Sequence, residues 1–503
     1  MIPALDSARG FRWLVALAIA IRLVMALWLP VTGDEAYFFV WARNLDYGYY
    51  DHPPMVGWWL WLVSQLGGHE FVLRLPAIAV SLFIARGLYR FLEPYGIDRA
   101  RSVALLYLST PLYLLLPITT TDTPLVFFSF ASVLALTRGW QEKSRFWYAT
   151  AGVLLGLAFL SKYFAVLLGV AYLAAFVLTA EGRSRWRGLA IVIVAALPAV
   201  LVNVVWNYYH CWDNILFNLF NRNQEAAFSF DKPLVYLLIH LYLLTPVLLY
   251  YLLRYWPSVR RRLAESEFRV AGFAALLPML LLLLVATRRD VGLHWVLAFY
   301  PPLFLVLGAA LGNRQLFVAT RFMMGFAAIH LVVVVVLLAL PVNVWRNMDA
   351  YQEIVFLTKT SDVAQSLQGE AEGFELFTTS YTPAAMLAHR MGRSVGVFGV
   401  GSRYARQDDM LTDFRALDGK DLLILTRTGD EDGKFTPFFD RIEQQTVVVE
   451  EADYTVVKGY GFRWESYRDE VLETIRSRYY DIPGFLPVGR CQFLERNFAE
   501  SLK

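Results

Sequence analysis

Residues Gly33 to Pro54, GDEAYFFVWARNLDYGYYDHPP, set four carboxylates and one histidine among seven aromatic residues, between two apolar runs. Lipid excludes such a composition and bulk water does not require it, so the stretch reads as the lip of a membrane-embedded reaction site. Asp34 and Glu35 fall in the first turn of what reads as a short helix, where carboxylates complement the helix dipole and cap the N-terminus. A cap accounts for one acid of the two. A carboxylate at the membrane–water boundary beside a hydroxyl-bearing acceptor could act as a general base, and Asp34 is the candidate. Downstream, Tyr49-Tyr50-Asp51-His52 runs into Pro53-Pro54. The prolines keep this segment out of a helix and push His52 toward extended backbone. Asp51 and His52 then form either a satisfied surface turn or an imidazole that faces an anionic group with Asp51 orienting it. Tyr47, Tyr49, Tyr50, Trp58, Trp59 and Trp61 read mainly as an interfacial aromatic belt.

Three later points place polar residues at the same depth. Asp122, in TTTDTP, opens an apolar run and could cap it. Lys162, in LSKYF, lies between two apolar runs and could snorkel. Arg288-Arg289-Asp290 with His294-Trp295 lies at the end of another pair of runs, and clustered arginine is matched to phosphate. Acids, cations and aromatics at one membrane surface point to a substrate that is lipidic, phosphorylated and partly carbohydrate.

The elements that must hold these residues are membrane spans. Of 503 residues 57 % are hydrophobic and 18 % charged, which places the chain among integral membrane proteins rather than soluble domains. Apolar runs of spanning or near-spanning length number roughly eleven, and short re-entrant pieces could raise this to about thirteen. The run Phe11 to Pro30 has no trustworthy cleavage site after it and is expected to be a retained first span. With the N-terminus in the cytoplasm, the Arg- and Lys-rich loops at 86–101, 138–145, 183–187, 254–262 and 314–321 all fall on that side. Gly33–Pro54, Asp122, Lys162 and Arg288–His294 then face the other side. The lip itself reads as an interfacial helix from Asp34 to Leu45, with Tyr37, Phe38, Trp41 and Leu45 on one face.

After about Leu340 the charge rises and short β-like segments appear, at Ser394–Val400, Asp421–Thr426 and Thr446–Val449, with a helix at Pro383–Arg390. The expected division is a transmembrane domain over 1–345, with a first outer loop at 31–70 carrying juxtamembrane helices, and a soluble α/β domain over 346–503 on the outer side. Cys211 and Cys491 are the two cysteines, so there is no disulfide framework; they form a single bridge or remain free thiols. No internal repeat marks a solenoid or inverted transporter halves.

The run GDEAYFFVWARNLDYGYYDHPPMVGWW resembles the first outer loop of the protein-mannosyltransferase-like and aminoarabinose lipid A transferase-like membrane glycosyltransferases, which have the GT-C fold. Arg74-Leu75-Pro76, TTDTPLVFF around Asp122, GLAFLSKYF with Lys162, His294-Trp295, Tyr381 before a helix and GSRYARQDDM extend the resemblance over nearly the whole chain. It implies a polytopic α-helical membrane protein with a C-terminal periplasmic α/β domain. The implied activity is inverting transfer of a sugar from a polyprenyl-phosphate donor to lipid A, lipopolysaccharide or another envelope glycoconjugate at the outer face of the bacterial inner membrane.

In that reading Asp34 is the base or acceptor-orienting acid and Glu35 its neighbour in the motif. His52, Lys162, Arg288, Arg289 and His294 bind donor phosphate, while Asp51, Tyr50, Asp122 and Trp295 support the substrate or the site. In the aminoarabinose enzymes Glu-Lys precedes the proline pair; here Asp51-His52 stands there, so the charge facing phosphate depends on pH. The leaving group is already an anionic phosphate that protein cations can stabilise, and Asp, His and Glu fall at no dedicated metal spacing. No metal or cofactor is therefore expected to be required, although a divalent cation could assist. The expected partners are the polyprenyl-linked donor, a glycolipid or glycan acceptor and membrane lipid, with no nucleic acid. A protein O-mannosyltransferase and a polyprenyl-linked lipid transporter or flippase are the alternatives.

Overall fold

Apolar residues in long runs satisfy their backbone polar groups internally by forming helices, the one open structure that lipid tolerates. The computed structural model describes residues 7–223, 228–402, 406–427 and 433–499. Among them seven helices are long and apolar enough to cross a membrane: Ala8–Trp28, Glu70–Tyr95, Trp186–Tyr209, Asp231–Arg254, Ser266–Ala286, Leu293–Ala310 and Asn313–Ala339. The chain is a multi-pass membrane protein. The other four expected runs differ for local reasons. The run at 101–118 breaks at Ser109-Thr110-Pro111 into Ile97–Leu108 and Pro111–Leu115, while Arg145–Phe159 and Ala165–Leu178 are only 15 and 14 residues long. Asp122–Glu142 is long enough but more polar.

By their contacts the described residues form two units. One lies within Met1–Leu29, Leu62–Val202 and Ala226–Leu338, the other within Pro30–Trp61, Asn203–Glu225 and Ala339–Lys503. The second unit thus takes in the lip and the 203–225 segment as well as the C-terminal region, where a single cut near residue 345 had been expected.

In the first unit, arginines tie helix ends together. Buried Arg22 donates to the carbonyls of Ala18 and Leu108, buried Arg74 to those of Ala26 and Leu29, and half-buried Arg99 to those of Gly308, Ala309 and Leu311, all at 2.7–2.9 Å. The carbonyls of Leu108, Ala26, Leu29, Gly308, Ala309 and Leu311 are ones that a helix C-terminus leaves unpaired, so these guanidinium charges are compensated where the dipole is negative. Gly152 and Gly156 let Arg145–Phe159 approach Trp186–Tyr209: a Cβ on Gly152 would lie 2.3 Å from the Val192 carbonyl oxygen and one on Gly156 2.9 Å from Ala199 Cβ. Small residues four apart are the usual basis of close helix packing in lipid.

The second unit is built on a five-stranded sheet: β1 (Glu375–Thr378), β2 (Gly396–Val397), β3 (Leu422–Thr426), β4 (Phe439–Val449) and β5 (Ala452–Phe462), in the order β2-β1-β3-β5-β4. β1 runs parallel to β2 and β3; β5 is antiparallel to β3 and β4. β3 is buried along its length, as expected of a strand covered on both faces. Its alternation divides the core in two. Leu423 and Leu425 join Leu376, Val456, Val355 and Leu387 on one face, and Leu422 and Ile424 join Phe377, Val457, Phe398 and Tyr467 on the other.

Tyr50, Trp206 and Phe217 belong to that second cluster. Tyr50 and Tyr49 are therefore core residues and not part of an interfacial belt. Tyr49 stacks on Trp41 with ring centroids 4.2 Å apart and donates to the Trp41 carbonyl. Tyr47 and Trp61 remain exposed. Cys211 and Cys491 form a disulfide, with Cα atoms 4.3 Å apart. Around it Gly489 N–H donates to the Tyr208 carbonyl and Trp212 Nε1 to that of Pro487, which fastens the 203–225 segment to the C-terminal tail.

Candidate active site

The lip folds as the helix Gly33–Arg43, and the reason lies at its start. Thr32 Oγ1 accepts from Glu35 N at 3.3 Å and Thr32 N donates to Glu35 Oε2 at 3.2 Å, a reciprocal capping box. Glu35, expected beside Asp34 as a catalytic acid, is completely buried with its carboxylate turned back on the cap. Asp34 points elsewhere. The Tyr381 hydroxyl donates to Asp34 Oδ1 at 3.3 Å. Burial, with Asp34 next, pushes the Tyr381 phenol up to about 12, so it stays a donor through the physiological range.

Tyr381 begins the helix Tyr381–Met391, and the two helices meet at their N-terminal ends. A Cβ on Gly33 would lie 2.1 Å from Thr382 Cγ2, so only glycine permits this approach. Tyr37 and Tyr381 rings lie 5.2 Å apart edge-on, Phe39 packs on His389 at 4.9 Å, and Arg43 donates to the Ala388 carbonyl. The apolar face that reads as interfacial is thereby buried against protein: Tyr37, Phe38 and Trp41 are all buried.

From Tyr37 the network continues to the other end of the lip. Its hydroxyl donates to Asp51 Oδ1 at 3.3 Å, and Asp51 Oδ2 lies 3.9 Å from His52 Nε2. Asn218 donates to the Asp51 carbonyl, Asn214 to that of Tyr49, and Gln407 Oε1 accepts from Tyr50 N. Burial lifts the Asp51 carboxyl from its ordinary 3.8 to about 7, against the pull of the Tyr37 hydroxyl. Nearby, burial beside Asp409 lifts Asp408 to about 8. Asp34, Tyr381, Tyr37, Asp51 and His52 thus form one connected group in the second unit. Of the GSRYARQDDM motif, Arg403, Tyr404 and Ala405 lie outside the described residues.

The remaining candidates lie in the first unit. Lys162 Nζ is 2.9 Å from both carboxylate oxygens of Asp122, and both residues are buried. The helix Asp122–Glu142 takes no side-chain cap from Asp122; the acid neutralises the lysine, and the lysine does not snorkel. Lys162 Nζ also lies 5.4 Å from the centroid of the Phe164 ring, which packs on Trp295 at 4.6 Å. Trp295 is buried in the segment Leu293–Phe299, while Arg288 and His294 are exposed and Arg289 is half-buried. The Arg288 carbonyl accepts from Lys232 Nζ. Among the described residues no group of three or more His, Cys, Asp or Glu side chains is arranged to hold a metal ion.

The family model described as dolichyl-phosphate-mannose-protein mannosyltransferase matches residues 51–207. ArnT from Cupriavidus metallidurans bound to undecaprenyl phosphate matches with a TM-score of 0.65 at 15 % identity, over 90 % of this chain and 98 % of that one. Its apo form gives 0.63, also at 15 %, over 89 % and 97 %. The chain has the GT-C fold. Two curated relatives from Rhizobium johnstonii also match the GT-C chain. The lipid A galacturonosyltransferase RgtD is 31 % identical over 187 residues, 35 % of this chain and 38 % of that protein. The lipopolysaccharide core galacturonosyltransferase RgtA is 28 % identical over 198 residues, 38 % of this chain and 39 % of that protein. The matches span about two fifths of these relatives' length.

Within this GT-C chain the residues that reading by motif left out of the site are Tyr37 and Tyr381. In the sequence Tyr37 reads as one of four packing residues on a helix face, and Tyr381 as the residue before a helix. Nothing local marks the Tyr37 hydroxyl as aimed at Asp51, 14 residues on, or the Tyr381 hydroxyl as aimed at Asp34, 347 residues back.

Proposed function

We propose that this protein is an inverting glycosyltransferase that moves a sugar from a polyprenyl-phosphate donor to lipid A, lipopolysaccharide or another envelope glycoconjugate, at the periplasmic face of the inner membrane. The observation that carries the reading is the division of labour between adjacent acids: Glu35 closes the helix cap, and Asp34 is held by the Tyr381 hydroxyl. In a single displacement the acceptor oxygen bonds to the anomeric carbon as the bond to the phosphate oxygen breaks. Asp34 takes the hydroxyl proton, and the polyprenyl phosphate leaves as an anion. Lys162, His52, His294 and one of Arg288 or Arg289 are the groups assigned to stabilise that phosphate, and Asp122 fixes the Lys162 ammonium. No metal is required in this scheme. The likeness to ArnT bound to undecaprenyl phosphate supports the donor class, and the names of RgtD and RgtA support the acceptor class. The Cys211–Cys491 disulfide supports an oxidising compartment for the second unit.

Mass spectrometry of lipid A, core and surface polysaccharide from strains with and without the gene tests this. Loss of one sugar from a glycolipid fraction is expected. An unchanged glycolipid profile with a hexose missing from proteins would instead favour the protein O-mannosyltransferase reading, which the matching family model supports. Transfer by purified protein in detergent, which offers no compartments, excludes pure transport.

A further inference from the structure

Strand order reverses at the β1/β3 pair. The chain leaves β1 through the helix Tyr381–Met391 to reach β2 on one side, whereas β3 leads to strands on the other side. In open sheets the crevice outside the carboxyl ends of parallel strands at such a switch point is where ligands bind. Here the second unit has a cavity of about 410 Å³, within the range of small-molecule sites. Thr379, Ser380, Thr426 and Arg427, just past the ends of β1 and β3, line it.

The lining is suited to one kind of ligand. Phe356, Met386 and Tyr454 give an apolar and aromatic wall for the face of a pyranose, and the hydroxyls of Thr379, Ser380, Thr382 and Thr426 match ring hydroxyls. Arg427, exposed and paired with Glu353, sits with the N-terminus of Tyr381–Met391, and the Ser380 side chain makes no cap hydrogen bond there. Guanidinium and a helix N-terminus together favour a phosphate.

The cavity also adjoins the proposed base. Gly33, which precedes Asp34, lines it, as do Ser380 and Thr382 on either side of Tyr381. We propose that this cavity is the acceptor subsite, and that it takes a phosphorylated pyranose neighbouring the hydroxyl that Asp34 deprotonates. The inference rests on the transferase reading for its role and on the cavity's own chemistry for its ligand.

Binding is measured on the full-length protein in detergent by equilibrium dialysis, with glucosamine 1-phosphate as the probe and glucosamine and inorganic phosphate as controls. The sugar phosphate is expected to bind at least tenfold more tightly than either control. Arg427→Gln, at an exposed position that does not threaten the fold, and Leu357→Trp, which narrows the cavity, should each weaken it at least tenfold. In the transfer assay both variants should raise the KM for lipid A at least tenfold and shift the donor KM less than twofold. Glucosamine 1-phosphate should compete with lipid A, which shows that soluble and lipid-borne sugar phosphates share the site. Equal binding by wild type and both variants, or inorganic phosphate binding as tightly as the sugar phosphate, overturns the proposal. Arg427-dependent binding in a protein that transfers no sugar supports the cavity and fails the transferase reading. Transfer without sugar phosphate binding overturns the cavity alone.

Discussion

The Tyr381 hydroxyl donates to Asp34 Oδ1 across 347 residues of sequence, joining the first turn of the lip to the first turn of a helix in the C-terminal region. Hydrogen bonds to charged groups contribute about 1.5–3 kcal/mol. Tyr381→Phe keeps the ring against Tyr37 and removes this bond, so kcat should fall roughly 10- to 100-fold as the base loses its orientation, with stability lowered by no more than about 1.5–3 kcal/mol. Steady-state kinetics with a melting curve on the same preparation checks this; an unchanged kcat would remove Tyr381 from the site.

The capping box gives Glu35 a different signature from its neighbour. Glu35→Gln can still reach back to the Thr32 amide and should retain turnover. Glu35→Ala should cost about 1 kcal/mol of stability, as lost caps do. A folded Glu35→Gln protein without turnover would return Glu35 to the chemistry.

Asp122 and Lys162 form a buried pair, and removing one partner strands the other charge. Lys162→Met should destabilise the protein by about 3–5 kcal/mol, and adding Asp122→Asn should recover much of that. Turnover should not recover with stability, because the cation proposed to face the phosphate is still missing. Melting temperature and turnover measured side by side separate the two effects.

Asp51 makes stability depend on pH with a definite sign. Its folded value of about 7 lies above the ordinary 3.8, so between those values the folded protein holds a proton that the unfolded chain has lost. Stability from this group is therefore present at low pH, falls as pH rises toward 7 and is level above it. Asp51→Asn should stabilise the protein most at pH 8, less at pH 5, and by an amount that vanishes as the pH drops below 3.8. Comparing wild type with the variant separates Asp51 from Asp408, which titrates in the same direction. An advantage for Asp51→Asn that grows toward low pH would contradict the assignment.

The sequence made the lip helix readable because Tyr37, Phe38 and Trp41 repeat at helical spacing, and the GT-C resemblance was carried by contiguous motifs. It did not reveal what covers that helix. An aromatic beside a membrane span has the same local pattern whether it meets lipid or a core, which is why Tyr49 and Tyr50 read as belt. The β4–β5 hairpin was only partly visible because its two turn residues are Glu450 and Glu451, both at positive φ, where glycine or asparagine is the usual signal. Lys162 and Asp122 each have an adequate local explanation in the sequence, and a separation of 40 residues hides their pairing.

The most direct test of the central claim is the rate of sugar transfer by Asp34→Asn in detergent, from polyprenyl-phosphate donor to lipid A, with a melting curve to establish folding. Loss of a general base lowers turnover by about 100- to 10,000-fold. A loss of that size with the fold intact is the expected result; full turnover by a correctly folded Asp34→Asn protein would contradict it.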